Sequence, residues 1–219
     1  MKTFMVILMG FIGVSAMYSQ DKPASPKYAL SFGIADNFRL DKFIMDIGIT
    51  KILDDEHQLR VFISPRIYTN NSNQENVMGN IAKGIDEATH NSFGIGTDFL
   101  WILINEDDLR MYGGPGLVYT IGLEDSKSTS EYANGDKYVR EDRIPFYNIG
   151  VKGNLGVEWM VSKRISLHSE YVLTGLYGKQ KRDSNVWVNG VKDQASDHRR
   201  TTTSFSLATG VLFGVSIYL

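Results

Sequence analysis

The chain has 219 residues, of which 42% are hydrophobic and 22% are charged, and its formal net charge is −2. This length suits one domain with a substantial core, and the lack of a basic surplus argues against a nucleic-acid-binding chain. The absence of cysteine excludes disulfides, thiolate metal sites and cysteine nucleophiles. The hydrophobic fraction also excludes a bundle of membrane helices, but not a membrane protein whose apolar residues stand at every second position.

The first 19 residues are predicted to be a cleaved signal peptide, which leaves residues 20–219 as the mature domain. Lys2 supplies the positive start, residues 4–16 are apolar, and small residues offer cleavage after Ala16 or after Ser19. The apolar run is too short to cross a bilayer stably. An exported chain without cysteine indicates a bacterial envelope protein.

Eight segments of the mature chain alternate between apolar and small or polar residues, which is the strand period rather than the helix period. A polar, Asn-rich stretch over residues 70–91 is predicted to be a link, and residues 82–88 are the one candidate for a helix. The eight predicted strands are centred on residues 28–35, 42–50, 59–67, 93–103, 109–121, 147–159, 165–174 and 204–219.

The links between these segments predict the topology. Links after the second, fourth and sixth segments are short polar turns, whereas links after the third, fifth and seventh run to about twenty residues. Because lipid cannot satisfy a free sheet edge, a sheet that crosses a membrane must close. We therefore expect an all-β fold, a closed antiparallel transmembrane up-and-down β-barrel of eight strands in the cell outer membrane, with both termini at the periplasmic end.

Aromatic residues and turn dipeptides refine this prediction. Asn134-Gly135 and Asn189-Gly190 are typical of two-residue type I′ hairpins, and simple counting then requires one β-bulge in each of the two ribbons that they close. Two tryptophans lie just before short turns on the apolar face, and several tyrosines lie toward the long links. The predicted girdle residues are Trp101, Trp159, Tyr119, Tyr147 and Tyr171, with Tyr177 at the same end.

The inward face carries charges of both signs. In an eight-stranded barrel the interior is just wide enough to be filled by side chains, so these charges are expected to pair and plug the lumen. A narrow ion or water path is the alternative, although balanced signs give no selectivity ring. The predicted lumen network consists of Asp46, Arg60, Arg66, Asp98, Arg110, Lys152, Glu158, His168 and Glu170.

Ser166, His168 and Glu170 share one face of a single strand and are the residue types of a hydrolase triad. Same-face neighbours on a strand lie about 6.5 to 7 Å apart at Cα, and nothing in the sequence identifies an oxyanion hole. The lumen network therefore remains the preferred interpretation, and no catalytic, cofactor or metal residue is predicted.

The long links differ in charge. Both links are expected to form a solvated surface; the more specific alternatives are contact between the basic link and lipid phosphates, or attraction between the two ribbons. Trp187, beside a hairpin tip, is the predicted exposed contact residue. Acidic residues of the third long link are Glu124, Asp125, Glu131, Asp136, Glu141 and Asp142, and basic residues of the fourth are Lys179, Lys181, Arg182, Lys192, Arg199 and Arg200.

Three stretches carry a resemblance to a known family: residues 150–159 (GVKGNLGVEW), the strand-turn-strand 161–171 (VSKRISLHSEY) and the terminal run 214–219 (GVSIYL). The chain resembles the small eight-stranded outer-membrane β-barrels of the OmpA/OmpX type, and most closely those of Bacteroidetes. The family usually ends in Phe, and Leu219 departs from that pattern.

The resemblance implies a location more than an activity. We expect a non-enzymatic, monomeric outer-membrane protein with a role in cell-surface interaction or envelope integrity. Its expected partners are outer-membrane lipid, lipopolysaccharide and, during biogenesis, the barrel-assembly machinery, with no nucleic acid and no cofactor. The alternatives are a lipid A-modifying hydrolase, a narrow pore, a PorT-like barrel of a secretion apparatus, and a soluble periplasmic barrel with an apolar interior.

Overall fold

The computed structural model describes residues 27–35, 42–75, 81–132, 134–193 and 198–219. The predicted signal peptide lies outside these residues and stays a prediction. No helix that could cross a bilayer occurs in the described ranges. The strands are β1 (Tyr28–Ala35), β2 (Lys42–Ile52), β3 (His57–Glu75), β4 (Ile81–Glu106), β5 (Leu109–Tyr132), β6 (Lys137–Ser162), β7 (Ile165–Val188), β8 (Val191–Lys192) and β9 (His198–Tyr218).

Eight of these strands form a closed ring, and the two-residue β8 continues the hairpin that returns from β7. Each long strand pairs with the next in antiparallel fashion, and β9 pairs with β7 on one side and β1 on the other. The ring therefore has no open edge at the level of β1. The predicted eight-stranded up-and-down barrel is confirmed.

The ring is staggered by ten residues. A path of paired residues that leaves β9 at Ile217 and crosses every strand once returns to β9 at Leu207. With eight strands and standard strand dimensions, this stagger corresponds to a strand tilt of about 40°. The intermediate residues are Leu30, Ile49, Val61, Thr97, Leu117, Val151 and Gly175.

The two faces of the barrel wall invert the usual distribution of polar and apolar residues. The apolar side chains point outward, while the fully buried groups of the interior include Asp98, Ser166 and Glu170 beside Leu100. This arrangement matches the parity predicted from the sequence. More than half of the surface is exposed for the outward residues Ile49, Leu117, Ile149, Val151, Tyr177 and Phe205.

The outward apolar residues form a continuous belt. On β6 the belt runs from Tyr147 to Trp159, and on β7 it runs from Tyr177 to Ile165. Twelve residues at about 3.3 Å each and a tilt of about 40° span about 30 Å, the thickness of a bilayer's hydrocarbon core.

Six strands continue beyond the belt and build a tall upper wall, defined here as residues 69–75, 81–92, 122–132, 137–146, 178–188 and 198–204. The stretch 70–91, predicted to be a link, is strand from Asn70 to Glu75 and again from Ile81. The helix expected at 82–88 is likewise part of β4. These predictions are wrong because cross-strand pairing with β3 and β5 continues through polar residues that carry no strand-type hydrophobic pattern.

The hairpin at Asn134-Gly135 differs from the prediction. Pairing of β5 with β6 runs without a shift up to Glu131 and Lys137. The Gly135 N–H donates to the Tyr132 carbonyl at 3.0 Å, and the φ of Gly135 is +90°. The connection is thus a three-residue turn with its extra residue at the tip, so the predicted type I′ turn and the separate bulge are both wrong here.

At the other tip, Asn189 and Gly190 have φ values of +51° and +81°, as the predicted type I′ turn requires. The register changes between the Trp187–Lys192 pair and the Ser184–His198 pair. The register of this ribbon therefore shifts between its tip and its lower part, and residues 194–197 lie outside the described part.

Candidate functional site

The nine residues predicted for the lumen network all project from the inward face, but they do not form one cluster. They come from β2 to β7, and the stagger of the ring decides which of them meet. Two separate clusters are found, one around Arg60 and one around Glu158, with Asp46 and Arg66 above them.

Arg60 is the centre of the first cluster. Its Nε donates to Asp98 Oδ2 at 2.9 Å, and its Nη2 lies 2.8 Å from the same oxygen. The other side of the guanidinium forms a two-point ion pair with Glu170, with 2.8 Å between Nη2 and Oε2. Arg60 is 8% exposed and both carboxylates are buried, so these are charge-assisted hydrogen bonds in a region of low dielectric constant.

The first cluster is completed from β5 and β6. Lys152 Nζ lies 3.0 Å from Asp98 Oδ1 and 3.7 Å from the ring centroid of Phe62, which is a cation–π distance. The Tyr112 hydroxyl donates to Glu170 Oε1 at 2.6 Å. Two cations and two carboxylates thus neutralise each other, which makes their joint burial tolerable.

A small residue makes room for this cluster. A methyl group placed on Gly156 would lie 2.5 Å from the Tyr112 ring. Real Cβ atoms do not approach a ring so closely, so a side chain at this inward position would displace Tyr112 from Glu170.

Glu158 is the centre of the second cluster, nearer the short turns. Its Oε1 accepts hydrogen bonds from the hydroxyls of Ser166 and, at 2.7 Å, of Tyr218. Arg110 donates to the Tyr218 hydroxyl at 3.3 Å and to Asn105 Oδ1 at 3.2 Å. Arg110 and Glu158 are paired in register between β5 and β6, and the Tyr218 hydroxyl links their side chains.

The hydrolase triad considered from the sequence is not assembled. Ser166 donates to Glu158, the His168 Nδ1 atom lies 3.2 Å from Ser216 Oγ, and Glu170 binds Arg60 and Tyr112. Each of the three side chains therefore has a different partner, because same-face neighbours on one strand point to different neighbours across the lumen.

Asp46 and Arg66 line a cavity of about 250 Å³ above the first cluster. Asp46 accepts a hydrogen bond from the Ser64 hydroxyl, and Arg66 is exposed. The lining of the cavity also includes Arg60, Lys152 and Glu170, so the charged cluster forms part of its wall.

The predicted aromatic residues all project outward from the belt, but at different heights. Trp101 and Trp159 lie toward the short turns, 41% and 53% exposed, and Tyr147 lies at the start of the upper wall with Tyr177. Tyr119 lies slightly lower, beside Ile149. Tyr171 pairs with Leu155 near the middle of the belt, so its predicted place in a girdle is wrong.

Trp187, predicted to be an exposed contact residue, is instead half-buried on the outward face of the upper wall, where it pairs with Val139 and Lys192. Below it, the charges predicted for two separate loops form ion pairs along neighbouring strands. Lys127 Nζ lies 3.2 Å from Glu141, and Arg199 Nε lies 2.8 Å from Asp183. These charges thus attract each other mostly within a ribbon, β5 with β6 and β7 with β9, rather than between the two ribbons.

The sequence interpretation missed two tyrosines that complete the clusters, Tyr112 and Tyr218. Both stand at even positions on the inward face, so the strand parity could have placed them. Across the described residues no group of three or more His, Asp or Glu side chains is arranged to hold a metal ion.

Comparison with known proteins gives structural similarity only. No protein-family model matches the sequence, and no similar sequence is found among curated proteins. The crystal structures of CarO2 and CarO from Acinetobacter baumannii are similar to this chain at 9% and 8% identity, with TM-scores of 0.44 and 0.41. The alignments cover 90% of this chain and 100% of CarO2, and 89% of this chain and 98% of CarO. The fold assignment therefore rests on the hydrogen-bonded ring itself.

Proposed function

We propose that this chain is an outer-membrane β-barrel protein whose lumen is closed by a charged network, and that it acts without catalysis in cell-surface interaction or envelope integrity. The observation that carries the proposal is the closed ring with an apolar belt outside and paired charges inside. Only a bilayer makes such an exterior favourable, because the exposed apolar belt far exceeds what a soluble monomer presents.

The closed lumen argues against the pore alternative. Arg60 and Glu170 join opposite sides of the ring, and nearer the short turns Tyr218 of β9 donates to Glu158 of β6 across the inner side of β7. To pass the first cluster, an ion would have to separate the paired, buried charges around Arg60, which costs several kcal/mol. We therefore expect no unitary current steps when the mature chain is reconstituted in a planar lipid bilayer, and regular steps would contradict the closed lumen.

The upper wall supports a role at the cell surface. Long extensions at one end of a membrane barrel are typically extracellular. The wall presents Trp187 and alternating charges on a rigid sheet rather than on loops. A surface contact or a contribution to envelope integrity would each fit this arrangement.

A complementation experiment separates these two roles. A strain without the chain would receive either the full chain or a version with residues 126–141 replaced by a short turn, which keeps the belt and both lumen clusters. Resistance to detergent restored by both versions indicates envelope integrity, and a surface phenotype restored only by the full chain indicates interaction. If the loss of the chain changes neither property, the proposed role is wrong.

A further inference from the structure

We infer that Lys179 and Lys181 on β7 form a binding site for a phosphate group of lipid A in the outer leaflet. This inference rests on the proposed function, since it requires the belt to lie in an outer membrane. Both lysines stand at odd positions of β7, on the same outward face as Tyr177.

The height of the site is set by the aromatic residues. Lys179 is the next outward residue beyond Tyr177, which is 57% exposed, and it pairs with Tyr147 on β6, which is 46% exposed. Tyrosine concentrates where hydrocarbon gives way to headgroups. The ammonium of Lys179 therefore lies at the headgroup level, where the phosphates of lipid A are found.

The donors at this place suit a phosphate. Same-face residues on a strand are about 6.5 to 7 Å apart at Cα, so two lysine side chains can converge on one group. Lys179 pairs with Thr203 and Lys181 with Thr201 on β9, which places two hydroxyl donors beside the two cations. Lysine binds phosphate as a point charge, and hydroxyls supply directed hydrogen bonds.

The positive charge here is not cancelled by the protein. Among the described residues no carboxylate lies within 4.0 Å of the Lys179 ammonium. Lys181 Nζ is 3.9 Å from Asp183, but that carboxylate also holds Arg199 at 2.8 Å. Arg143 on β6 pairs with Asp183 in register and lies 4.0 Å from Asp125 on β5, so the four cations of this area face two carboxylates.

The charge is also confined to one side of the barrel. At the corresponding height the outward residues of β3 and β4 are uncharged: Thr69, Asn71, Thr89 and Asn91. A generally basic rim would attract any anionic membrane, whereas a local excess on β6, β7 and β9 indicates a single lipid bound at a defined place.

The test uses the full mature chain in detergent micelles and native mass spectrometry to count retained lipid. Three probes are compared: bisphosphorylated lipid A, the same lipid A without phosphates, and phosphatidylglycerol. We expect the wild type to retain phosphorylated lipid A about tenfold more than the dephosphorylated form, as one or two charge-assisted contacts allow. Lys179→Gln with Lys181→Gln should abolish that preference.

The matched control is Lys127→Gln with Lys137→Gln, which makes the same change in charge on the same outward face, higher on the wall. It should keep the preference of the wild type. The site would be overturned if the wild type retained both forms of lipid A equally, or retained phosphatidylglycerol as strongly as phosphorylated lipid A. It would also be overturned if the control variant lost the preference as fully as the Lys179 and Lys181 variant.

The same samples are run on a gel with and without heating, which reports whether the barrel has folded. A chain that shows no heat-modifiable mobility in any detergent contradicts the proposed function itself. A folded barrel without phosphate preference contradicts only the lipid site.

Discussion

The guanidinium of Arg60 on β3 and the carboxylate of Glu170 on β7 form an ion pair across the full width of the barrel, with 2.8 Å between Nη2 and Oε2. Three strands separate β3 from β7 on either side of the ring. This pair therefore ties opposite walls together, while Asp98 on the neighbouring strand binds the same guanidinium.

Replacing Arg60 by alanine should destabilise the barrel strongly. The change leaves Glu170 buried without a cation, whereas Asp98 keeps Lys152, and an uncompensated buried charge of this kind costs about 3–5 kcal/mol. The measurement is urea unfolding of the barrel in detergent micelles. Arg66→Ala is the matched control, because Arg66 is exposed on the same face of the same strand, and it should change the unfolding free energy by less than about 1 kcal/mol. Equal effects of the two substitutions would show that the lumen pair does not stabilise the barrel.

Lipid A should be chemically unchanged by this chain. The Ser166 hydroxyl donates to Glu158 rather than to His168, and His168 and Glu170 bind other partners, so the Ser-His-Glu relay of a triad is not assembled. Mass spectra of lipid A from cells with the chain, without it, and with His168→Ala should be identical. Loss of an acyl chain only in the presence of the unaltered chain would restore the hydrolase hypothesis.

The two hairpin tips of the upper wall should be coupled through Asp136. Its Oδ1 accepts a hydrogen bond from Asn189 Nδ2 at 2.8 Å, and its Oδ2 accepts one from Asn134 at 2.6 Å. These bonds hold the pKa of the Asp136 carboxyl below its usual value, the bond from Asn189 contributing most. Because the folded pKa is the lower one, the contact is complete above about pH 4 and weakens as the pH falls through the folded pKa.

A carboxyl-resolved NMR titration of Asp136 measures this coupling. In the wild type the midpoint should lie below the usual aspartate value, and Asn189→Ala should raise it. The backbone bond from Lys137 N to Asn189 Oδ1, at 2.7 Å, is also lost in that variant, so the tip signals of β6 should broaden. An unchanged midpoint would mean that the two tips do not interact in solution.

The faces of the barrel could be predicted from the sequence, because the period of two is a local property of each strand. On β3 and β7 even positions such as Arg60 and Glu170 point inward, on β6 odd positions such as Ile149 point outward, and on β1 the parity is reversed, as expected. Strand ends could not be predicted in the upper wall, since β4 between Ile81 and Asn91 is held by pairing with β3 and β5 rather than by its own pattern.

The partners within the lumen could not be predicted either. Which inward residues meet depends on the stagger of the whole ring, and a change of two residues in any register would bring different side chains together. Thus Arg60 binds Glu170. Glu158 precedes Glu170 by only twelve residues, on the other side of a turn, yet it binds Ser166 and Tyr218 instead. The height of Tyr171 in the belt could not be predicted for a similar reason, because the height of a residue on a tilted strand depends on the register with its neighbours.

The belt on β6 offers the most direct test of whether this barrel spans a membrane. The chain has no cysteine, so single substitutions can each carry one nitroxide label without background. Labels would be placed outward at Ile149, Val151, Leu155 and Val157, inward at Asn148 and Asn154, and on the upper wall at Val139. Collision with oxygen and with a water-soluble nickel chelate would be measured in lipid vesicles.

In a membrane-spanning barrel the four outward labels on the belt should collide with oxygen and be shielded from nickel. The inward labels should be shielded from oxygen in the lipid, and the label at Val139 should be open to nickel. Outward labels as accessible to nickel as the one at Val139 would contradict a membrane-spanning barrel.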